Sequence, residues 1–354
     1  MTLEEYIMRG DTFSAEDILS LGTWDERPHV VILGAGASRA AMPYGDEGRR
    51  CVPLMNDLVN TLELRHAITS SGHDPDKGFE ALYAELSEDA ANRDLLDVIE
   101  TRVESYFSQL RLSSDQLTVY DYLLLGLRPK DAVFTFNWDP FLYDTYERHA
   151  KSFQLPRIFH LHGNVRIQAC SKCGKSGPAG TVCAICAVKR EKSRLLYPVT
   201  RKNYDADPFI REQWEQAREY LSRAFILTIF GYGAPVTDVQ AVDILKLAWK
   251  REGENHHLIE PVEIIDIRNP NELAEQWSPF AFYSHYEVRR NFFDSLIAKH
   301  PRRTCEARFV AGFYGKYVHP VPWAGNLVGL ADSALRIQAY EHNQKHQTDQ
   351  SSDP

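Results

Sequence analysis

The chain has 354 residues and a mass of 40.5 kDa, and 44% of its residues are hydrophobic and 25% charged, as in a globular protein with a sizeable core. Its net charge of −9 excludes a protein that is basic throughout and coats nucleic acid. No apolar run approaches the roughly 20 residues that span a membrane. The acidic N-terminus lacks a secretory signal, so we expect a cytoplasmic protein with no membrane partner.

The first part of the chain predicts one strand followed by a block of helices. A short lead-in at 1–28 contains one helical pattern, at 14–21. The β-branched run 29–33 then predicts a buried strand that ends in the glycine turn 34–38. Residues 56–128 carry apolar side chains at spacings of three and four, which predicts a helical insertion that covers the sheet.

The rest of the chain predicts strands that alternate with helices. Short apolar runs predict strands at 132–136, 158–161, 195–199, 225–230, 262–267 and 307–310. Helical patterns at 210–224 and 239–251 lie between the later strands. This alternation predicts a mostly parallel, doubly wound sheet. The polar tail at 342–354 has no apolar spacing and predicts disorder.

The glycine turn Gly34-Ala-Gly-Ala-Ser38 follows the first predicted strand. Glycines allow a tight turn and let backbone N–H groups approach a phosphate. Arg39 replaces the third glycine of the dinucleotide fingerprint. Taken alone, the motif therefore favours a simple strand-to-helix turn over a nucleotide site.

Two further predicted strands end in polar residues, at the edge where open α/β sheets bind ligands. Asn137 and Asp139 follow the strand at 132–136, and either residue type can bind a ligand or cap a helix. His162 lies at the end of the strand at 158–161 beside a glycine, which makes it a candidate general base. His160, on the same face, fits a buried core residue better.

Two later strands also end in glycine or polar residues. Gly231, Tyr232 and Gly233 form a second glycine-bearing loop at the same edge of the sheet. Asp266 and Asn269 follow the strand at 262–267, where a carboxylate or amide can accept a hydrogen bond from a ribose hydroxyl. Each loop alone fits a turn without a ligand, but several such turns at successive strand ends predict a binding site.

Two CxxC pairs predict a structural zinc site. Their spacing is typical of four thiolates that surround one Zn²⁺ ion and leave it no open position for catalysis; the four are Cys170, Cys173, Cys183 and Cys186. Between Asn164 and Lys202, nine Lys and Arg residues face one acidic residue. This basic segment favours a solvated face or a protein partner over direct nucleic-acid binding, which stays open.

Taken in order, the glycine turn, Asn137-x-Asp139, His162-Gly163, the cysteine pairs and the later Gly-Tyr-Gly loop resemble the sirtuin-like superfamily over about residues 29–270. The resemblance implies an α/β fold: a Rossmann-like doubly wound parallel sheet with a helical insertion and a small inserted four-cysteine zinc module. It implies NAD+ as the substrate and Zn²⁺ as a structural ion. The domains implied are a lead-in at 1–28, an NAD-binding domain at 29–163 and 195–284 with its insertion at 56–128, a zinc module at 164–194, a C-terminal segment at 285–341 and a disordered tail at 342–354.

The resemblance also implies roles for individual residues. Asn137 would position the nicotinamide ribose and a water, Asp139 would hold the nicotinamide carboxamide, and His162 would be the general base. Gly34, Ala35 and Ser38 would line the phosphates. The full set of cofactor-binding candidates is Gly34, Ala35, Gly36, Ser38, Gly231, Tyr232, Gly233, Asp266 and Asn269.

Departures from the family pattern indicate the activity. Phe136 stands where protein deacylases usually carry Gln, and the segment at 41–50 keeps only a loose echo of their Pro/Arg motif. These features resemble divergent bacterial anti-phage-defence proteins that hydrolyse NAD+ to nicotinamide and ADP-ribose. Many of those lack the zinc pairs, so an NAD-dependent lysine deacylase is an open alternative. A module that senses NAD+ or ADP-ribose without turnover is another.

Control of such an activity implies partners. A cell that encodes an NAD-depleting enzyme must keep it silent, so we expect a homo-oligomer or a regulatory protein partner. The family context implies an ATP-driven DNA translocase or a nuclease as that partner.

Overall fold

The computed structural model describes residues 12–21, 26–199, 202–234, 238–249, 261–278 and 286–350. Most of the predicted lead-in, the last two residues of the helix predicted at 239–251 and the end of the tail lie outside these residues. Among the described residues, no helix has the length and apolar character needed to cross a membrane.

The described chain forms eleven strands and fourteen α-helices. The strands are β1 (Thr12–Phe13), β2 (His29–Leu33), β3 (Ala132–Thr135), β4 (Arg157–His160), β5 (Gln168–Ala169), β6 (Ser176–Gly177), β7 (Glu191–Lys192), β8 (Ile226–Phe230), β9 (Val262–Ile265), β10 (Tyr286–Arg289) and β11 (Tyr317–Val318). The helices are α1 (Ala15–Ser20), α2 (Ala35–Ala41), α3 (Leu58–Thr61), α4 (Arg65–Ser70), α5 (Phe79–Ser87), α6 (Arg93–Gln109), α7 (Val119–Leu125), α8 (Phe141–His149), α9 (Pro208–Ser222), α10 (Val239–Trp249), α11 (Pro270–Trp277), α12 (Leu296–Lys299), α13 (Thr304–Tyr314) and α14 (Leu327–Gln350).

Six parallel strands form the main sheet, in the order β10-β9-β8-β2-β3-β4. The chain builds outward from β2 to β3 and β4, then returns to the other side of β2 to build β8, β9 and β10. The strand order therefore reverses between β2 and β8. This is the order of a Rossmann-type doubly wound sheet, in which ligands bind outside the carboxyl ends of the strands at the reversal. The predicted α/β fold class is confirmed.

Helices cover both faces of the sheet because successive strand residues point to opposite sides. Val31 and Leu33 pack into a core with helices α2 to α8, α12 and α14. Val30 and Ile32 pack into a second core with α9, α10 and α11. The helices α3 to α7 all lie between β2 and β3, within the region for which the sequence predicts a helical insertion.

Two predicted strands are wrong. The run 307–310 lies inside helix α13, because its three apolar residues fit a buried helix turn as well as a strand. The run 195–199 forms no strand: Val199 N–H donates to the Tyr197 carbonyl at 2.9 Å in a tight turn, and Pro198 has no N–H to donate to a sheet. The sixth strand of the sheet is instead β10, whose sequence Tyr-Glu-Val-Arg lacks the apolar run that would mark it.

The C-terminal helix extends further than the sequence predicts. Helix α14 continues to Gln350, through most of the segment for which disorder is predicted. Its buried residues Leu330, Ala334 and Ile337 anchor it to the domain. Once anchored, a helix gains one hydrogen bond for each further residue, so the polar composition that indicates disorder does not end it.

Candidate active site

A cavity of about 940 Å³ lies along the carboxyl edge of the main sheet. The ends of β2, β3, β8, β9 and β10 contribute to its wall, as do His162 just after β4 and residues of the helical insertion. The predicted site residues that line it are Gly34, Ala35, Gly36, Asn137, Asp139, His162, Gly231, Tyr232, Gly233 and Asp266. Ser38 and Asn269 are not among the lining residues. The cavity thus brings ten of the twelve predicted catalytic and cofactor-binding residues together across the reversal in strand order.

The two glycine loops contact each other backbone to backbone. Gly34 N–H donates to the Phe230 carbonyl at 3.1 Å, and Gly36 N–H donates to the Gly231 carbonyl at 3.0 Å. A Cβ on Gly34 would lie 2.5 Å from the Tyr232 Cα, so no side chain fits there. The glycines therefore permit the loops to interlock, and the amides of Gly34 and Gly36 are already used.

One backbone donor is left at this turn for a ligand. Among the described residues, Ala35 N–H, at the first turn of α2, has no hydrogen-bond acceptor. Ala35 lines the cavity together with Gly233. A Cβ added to Gly233 would have no heavy atom within 4 Å. The turn is therefore shaped for the close approach of a ligand at Ala35 and Gly233, rather than at every glycine of the motif.

The Asn137 side chain is held rigidly with its carbonyl oxygen available. Its Nδ2 donates to the Gly34 carbonyl at 2.8 Å and to Ser38 Oγ at 2.9 Å. Ser38 Oγ in turn lies 2.7 Å from the Tyr120 hydroxyl, so Ser38 orients Asn137 from behind. Within the described chain Oδ1 has no partner. Asn137 therefore presents a preoriented hydrogen-bond acceptor to the cavity.

Asp139 is a buried carboxyl at the same end of the cavity. Its Oδ1 accepts from Phe141 N–H at 3.1 Å, so it also contacts the first turn of α8, as a helix cap would. Burial raises the pKa of Asp139 to about 6, against the opposing effect of its hydrogen bonds. The group therefore titrates near the physiological range, which is typical of functional carboxyls.

His162 lines the cavity with an unpartnered ring nitrogen. Its Nε2 is buried and makes no hydrogen bond within the described chain, and it lies 3.9 Å from Asp238 Oδ1. Burial lowers the pKa of His162 to about 3, so the imidazole is neutral at physiological pH. A neutral, unpartnered imidazole that faces a cavity can accept a proton from a bound group.

A buried ion pair stands beside His162. Lys202 Nζ pairs with Asp238 Oδ1, and both side chains are nearly fully buried. The Tyr232 hydroxyl donates to Asp238 Oδ2 at 3.0 Å. The carboxylate of Asp238 favours a proton on His162, whereas the cation of Lys202 opposes it. This pair sets the electrostatic environment of His162.

Aromatic rings form the floor between the catalytic candidates and the second glycine loop. The rings of Phe136 and Tyr232 stack with centroids 4.2 Å apart and planes within 1° of parallel. The His162 ring meets the Phe136 ring edge-on at 4.7 Å. Phe136 therefore fixes both the histidine and the tyrosine, a structural role for the residue at which the sequence departs from deacylases.

Asp266 and Asn269 differ from their predicted roles. Asp266 lines the cavity, but Arg268 binds both of its carboxylate oxygens, with the Nη2–Oδ2 distance at 2.7 Å. Asn269 is exposed and caps helix α11, because its Oδ1 accepts from Asn271 N–H at 2.9 Å. A ribose hydroxyl at these side chains would therefore share Asn269 Oδ1 with the helix cap, outside the cavity lining, and would compete with Arg268 for Asp266.

The four predicted cysteine ligands cluster as a zinc site requires. Their sulfur atoms all lie within 4.8 Å of one another, with Cys173 Sγ and Cys183 Sγ 3.6 Å apart. Tetrahedral Zn²⁺ with Zn–S bonds of about 2.3 Å separates its sulfurs by about 3.8 Å, so the donor set fits zinc. Each CxxC pair forms the same turn, closed by Gly174 N–H to the Cys170 carbonyl and Ala187 N–H to the Cys183 carbonyl.

The zinc module packs directly behind the catalytic candidates. Its three short antiparallel strands lie in the order β6-β5-β7. The chain that leaves β7 passes against His162, where Leu196 N–H donates to the His162 carbonyl at 3.0 Å. A Cβ on Gly163 would lie 2.1 Å from the Arg194 carbonyl oxygen. The backbone at His162 is therefore supported by the segment that the zinc module delivers.

We expect one zinc ion per chain, and we expect Cys170→Ser to abolish its retention. Metal content after gel filtration measures the stoichiometry, and thermal unfolding measures the stability. Because binding of a structural zinc ion contributes directly to the folding free energy of its module, zinc loss is expected to lower the melting temperature. Cys51→Ser, which changes an exposed cysteine outside the cluster, is the control and should keep its zinc. Full zinc retention by the Cys170 variant would contradict the site.

Several residues of the cavity have no clear signal in the sequence. Glu80 reaches the cavity from the helical insertion, far from any strand end. Lys202 belongs to the segment that follows the zinc module, and Asp238 is recognisable only as a helix cap. Arg268 and Arg290 follow strands β9 and β10, and β10 itself is not predicted. To assign these residues to the cavity, one must know which strands are neighbours in the sheet and how their residues align.

Comparisons with known proteins give structural similarity alone. No family model matches the chain, and no curated protein matches its sequence. Among solved structures, a Sir2 homologue–NAD complex is 17% identical, with 86% of this chain and 94% of that chain covered and a TM-score of 0.36. A Sir2 homologue variant in complex with ADP-ribose is 15% identical, with 82% and 95% covered and a TM-score of 0.38.

A third solved structure is a Sir2 variant with a deacetylated p53 peptide and 3′-O-acetyl ADP ribose. It is 15% identical, with 88% of this chain and 98% of that chain covered and a TM-score of 0.33. Because these TM-scores lie below 0.5, we base the functional proposal on this chain's own residues. The chain is similar to Sir2 homologues, the group that its motifs resemble.

Proposed function

We propose that the protein is an NAD+ glycohydrolase, which cleaves NAD+ to nicotinamide and ADP-ribose. The observation that carries the proposal is the placement of Asn137, Asp139 and His162 at one end of a cavity that crosses the reversal in strand order. That position is where Rossmann-type sheets bind dinucleotides. The glycine loops at the centre of the cavity leave room for the pyrophosphate, with Ala35 N–H as a donor.

The reaction requires that the protein bind the nucleotide and position one water molecule. The nicotinamide–ribose bond breaks through an oxocarbenium-like state. In our proposal the Asp139 carboxyl holds the nicotinamide carboxamide, and the Asn137 Oδ1 accepts a hydrogen bond from the attacking water. His162 Nε2 takes the proton of that water or orients a ribose hydroxyl. Holding the nucleotide, the water and the histidine in the reactive geometry supplies much of the rate enhancement.

The environment of His162 favours hydrolysis over deacylation. A deacylase would bring an acyl-lysine chain to the same histidine, and an apolar chain is best held by apolar walls. Here the buried Lys202–Asp238 pair and the Tyr232 hydroxyl form one side of the space beside His162, and the Phe136 ring forms another. The polar side suits a water molecule, which supports hydrolysis in our proposal. An NAD-dependent lysine deacylase uses the same three catalytic residues and is the second candidate.

A time course of nicotinamide and ADP-ribose release tests the proposal. The zinc-loaded protein is incubated with NAD+, with and without an acetyl-lysine peptide, and the products are separated by chromatography. Release of ADP-ribose without peptide supports the glycohydrolase. Product that forms only with peptide, as O-acyl-ADP-ribose, would establish the deacylase. Tight NAD+ binding without product would instead indicate a sensing module.

We also expect the rate to depend on the ionisation of Asp139. Since burial raises its pKa to about 6, the carboxylate is present above that pH and lost below it. In our proposal the ionised carboxylate accepts a hydrogen bond from the nicotinamide carboxamide, so activity should fall roughly tenfold per pH unit below about 6. His162 cannot cause this limb, because its pKa is lowered to about 3.

The pH–rate profile of Asp139→Asn checks the assignment. The variant should be slower and should lack the limb near pH 6. Asp332→Asn changes an exposed carboxylate on α14 and should keep the full profile. A limb that persists in the Asp139 variant would assign it to another group.

Biological context extends the proposal. An enzyme that depletes NAD+ as an anti-phage-defence effector requires a trigger. We propose that a homo-oligomer or a protein partner, such as a DNA translocase or a nuclease, supplies it. The basic surface of the zinc module is a candidate contact for such a partner. These assignments rest on the family resemblance.

A further inference from the structure

The carboxylate at the end of β9 is occupied by a neighbouring arginine. Asp266 Oδ1 accepts from the backbone N–H of Arg268 at 3.0 Å and from its Nε at 3.1 Å. Asp266 Oδ2 accepts from Nε at 3.1 Å and from Nη2 at 2.7 Å. In dinucleotide-binding sheets an acidic residue at the carboxyl end of a strand hydrogen-bonds the ribose 2′-hydroxyl, although there it follows the strand next after the glycine turn. Here one side chain already takes up both oxygens, so that recognition is weakened.

The same contacts fix the guanidinium of Arg268 in place. Its Nη1 donates to Gln276 Oε1 at 3.1 Å, so both sides of the group are held. Of the five N–H groups of an arginine, these contacts use three and leave one on each terminal nitrogen. The side chain lines the cavity and is 39% exposed. Arg268 is thus a preoriented cation with donors to spare.

A second arginine reaches the cavity from the next strand. Arg290 directly follows β10 and lines the cavity, and it has no acidic partner among the described residues. Its neighbour Arg289, in contrast, pairs with Glu287 and Glu263 and is not among the lining residues. Among the described residues, the β9–β10 end of the cavity therefore carries one neutralised acid, one oriented arginine and one arginine without an acidic partner.

This end is the correct distance from the catalytic residues for the second half of a dinucleotide. Asp139 follows β3, and three strand spacings separate β3 from β9 in the sheet. At about 4.8 Å per spacing, the two positions are about 14 Å apart across the sheet. If nicotinamide lies at Asp139, as in the proposed function, the adenosine ribose lies near Arg268 and Arg290.

We propose that Arg268 and Arg290 bind a phosphate on the adenosine ribose, so that the protein prefers 2′-phosphorylated nucleotides, NADP+ over NAD+. The inference rests on the proposed function, because it uses the orientation of the dinucleotide. Guanidinium groups match the geometry of phosphate oxygens and form charge-assisted hydrogen bonds with them. In dinucleotide-binding folds an arginine near this ribose accommodates a 2′-phosphate.

Calorimetric titration of the full zinc-loaded chain with ADP-ribose and with 2′-phospho-ADP-ribose tests the inference at physiological ionic strength. We expect the 2′-phosphorylated compound to bind about tenfold more tightly or better, as one charge-assisted contact allows. Arg290→Ala should remove most of this advantage and change the affinity for ADP-ribose by less than about twofold. Arg290→Lys keeps the charge but not the planar fork, so it should keep only part of the advantage.

Arg336→Ala is the matched control, because Arg336 is an exposed arginine on α14, away from the cavity, and the variant should bind both compounds as the parent does. Equal affinity of the parent for the two compounds overturns the inference and leaves the proposed function standing. If Arg290→Ala weakens the binding of both compounds equally, the inference is also overturned, because the arginine then binds a group that the two compounds share, such as the pyrophosphate. Failure of both compounds to bind overturns the inference together with the proposed function.

Discussion

Replacing Asn137 by alanine is expected to abolish NAD+ turnover while the protein stays folded. The side chain is held by Gly34 and Ser38, and Ser38 is held by Tyr120, so Oδ1 has a single orientation toward the cavity. Removing one preoriented hydrogen-bonding group from an active site costs about 10²- to 10³-fold in kcat. Alanine also frees the water and the ribose to adopt unproductive positions, which adds to the loss.

Two measurements separate this effect from unfolding. Nicotinamide release gives the activity, and the melting temperature together with ADP-ribose affinity shows that the cavity persists. Asn137→Asp is a near-isosteric second variant. It replaces the donating Nδ2 with an oxygen that faces the Gly34 carbonyl, so it should be inactive as well. Asn60→Ala, at an exposed position on α3, should be fully active. An Asn137→Ala protein that retains most of its turnover would refute the assigned role.

Replacing His162 is expected to have the second large effect. A positioned general base contributes about 10²- to 10⁴-fold, and in our proposal His162 Nε2, which is buried and makes no hydrogen bond among the described residues, takes the proton of the water. His162→Ala should therefore lower kcat by that factor. The affinity for ADP-ribose should change much less, because the phosphates and the adenosine lie at other strand ends.

His160, the last residue of β4, offers a matched control two residues before His162. It is also buried, and its pKa is also lowered to about 3 by burial. It does not line the cavity. His160→Ala should lower the melting temperature, because it leaves a cavity in the core, but activity per folded molecule should persist. Equal loss of activity in the two variants would show that the effect at His162 is structural.

The sequence predicts the strands that end in the catalytic candidates because each is a short β-branched or apolar run next to a glycine or a polar residue. Five of the seven predicted strands are present, and the fold class follows from their alternation with helices. Local sequence patterns give the wrong secondary structure where residues distant in the chain determine whether a segment forms a strand or a helix. The run 307–310 forms a helix, and the charged strand β10 gives no apolar signal.

The same distinction holds inside the site. Asn137, Asp139 and His162 can be selected from the sequence, because strand ends collect ligand-binding residues. The roles of Ser38 and Asp266 cannot be predicted from the sequence, because they depend on partner residues that come close only in the folded chain. Ser38 supports Asn137 from behind, and Asp266 is taken up by Arg268. Glu80 and Lys202 come from segments with no motif at all.

The position of the zinc module bears on when the protein becomes active during its maturation. The segment that supports the His162 backbone leaves β7 directly, so we expect the position of this backbone to depend on the folding of the four-cysteine module. At the opposite side of the module, a Cβ on Gly174 would lie 2.4 Å from the Pro208 carbonyl, so the first CxxC turn is seated on the start of helix α9. A newly synthesised chain would therefore acquire its catalytic geometry only on metallation. Zinc supply and thiol oxidation would then determine when the activity proposed above can begin.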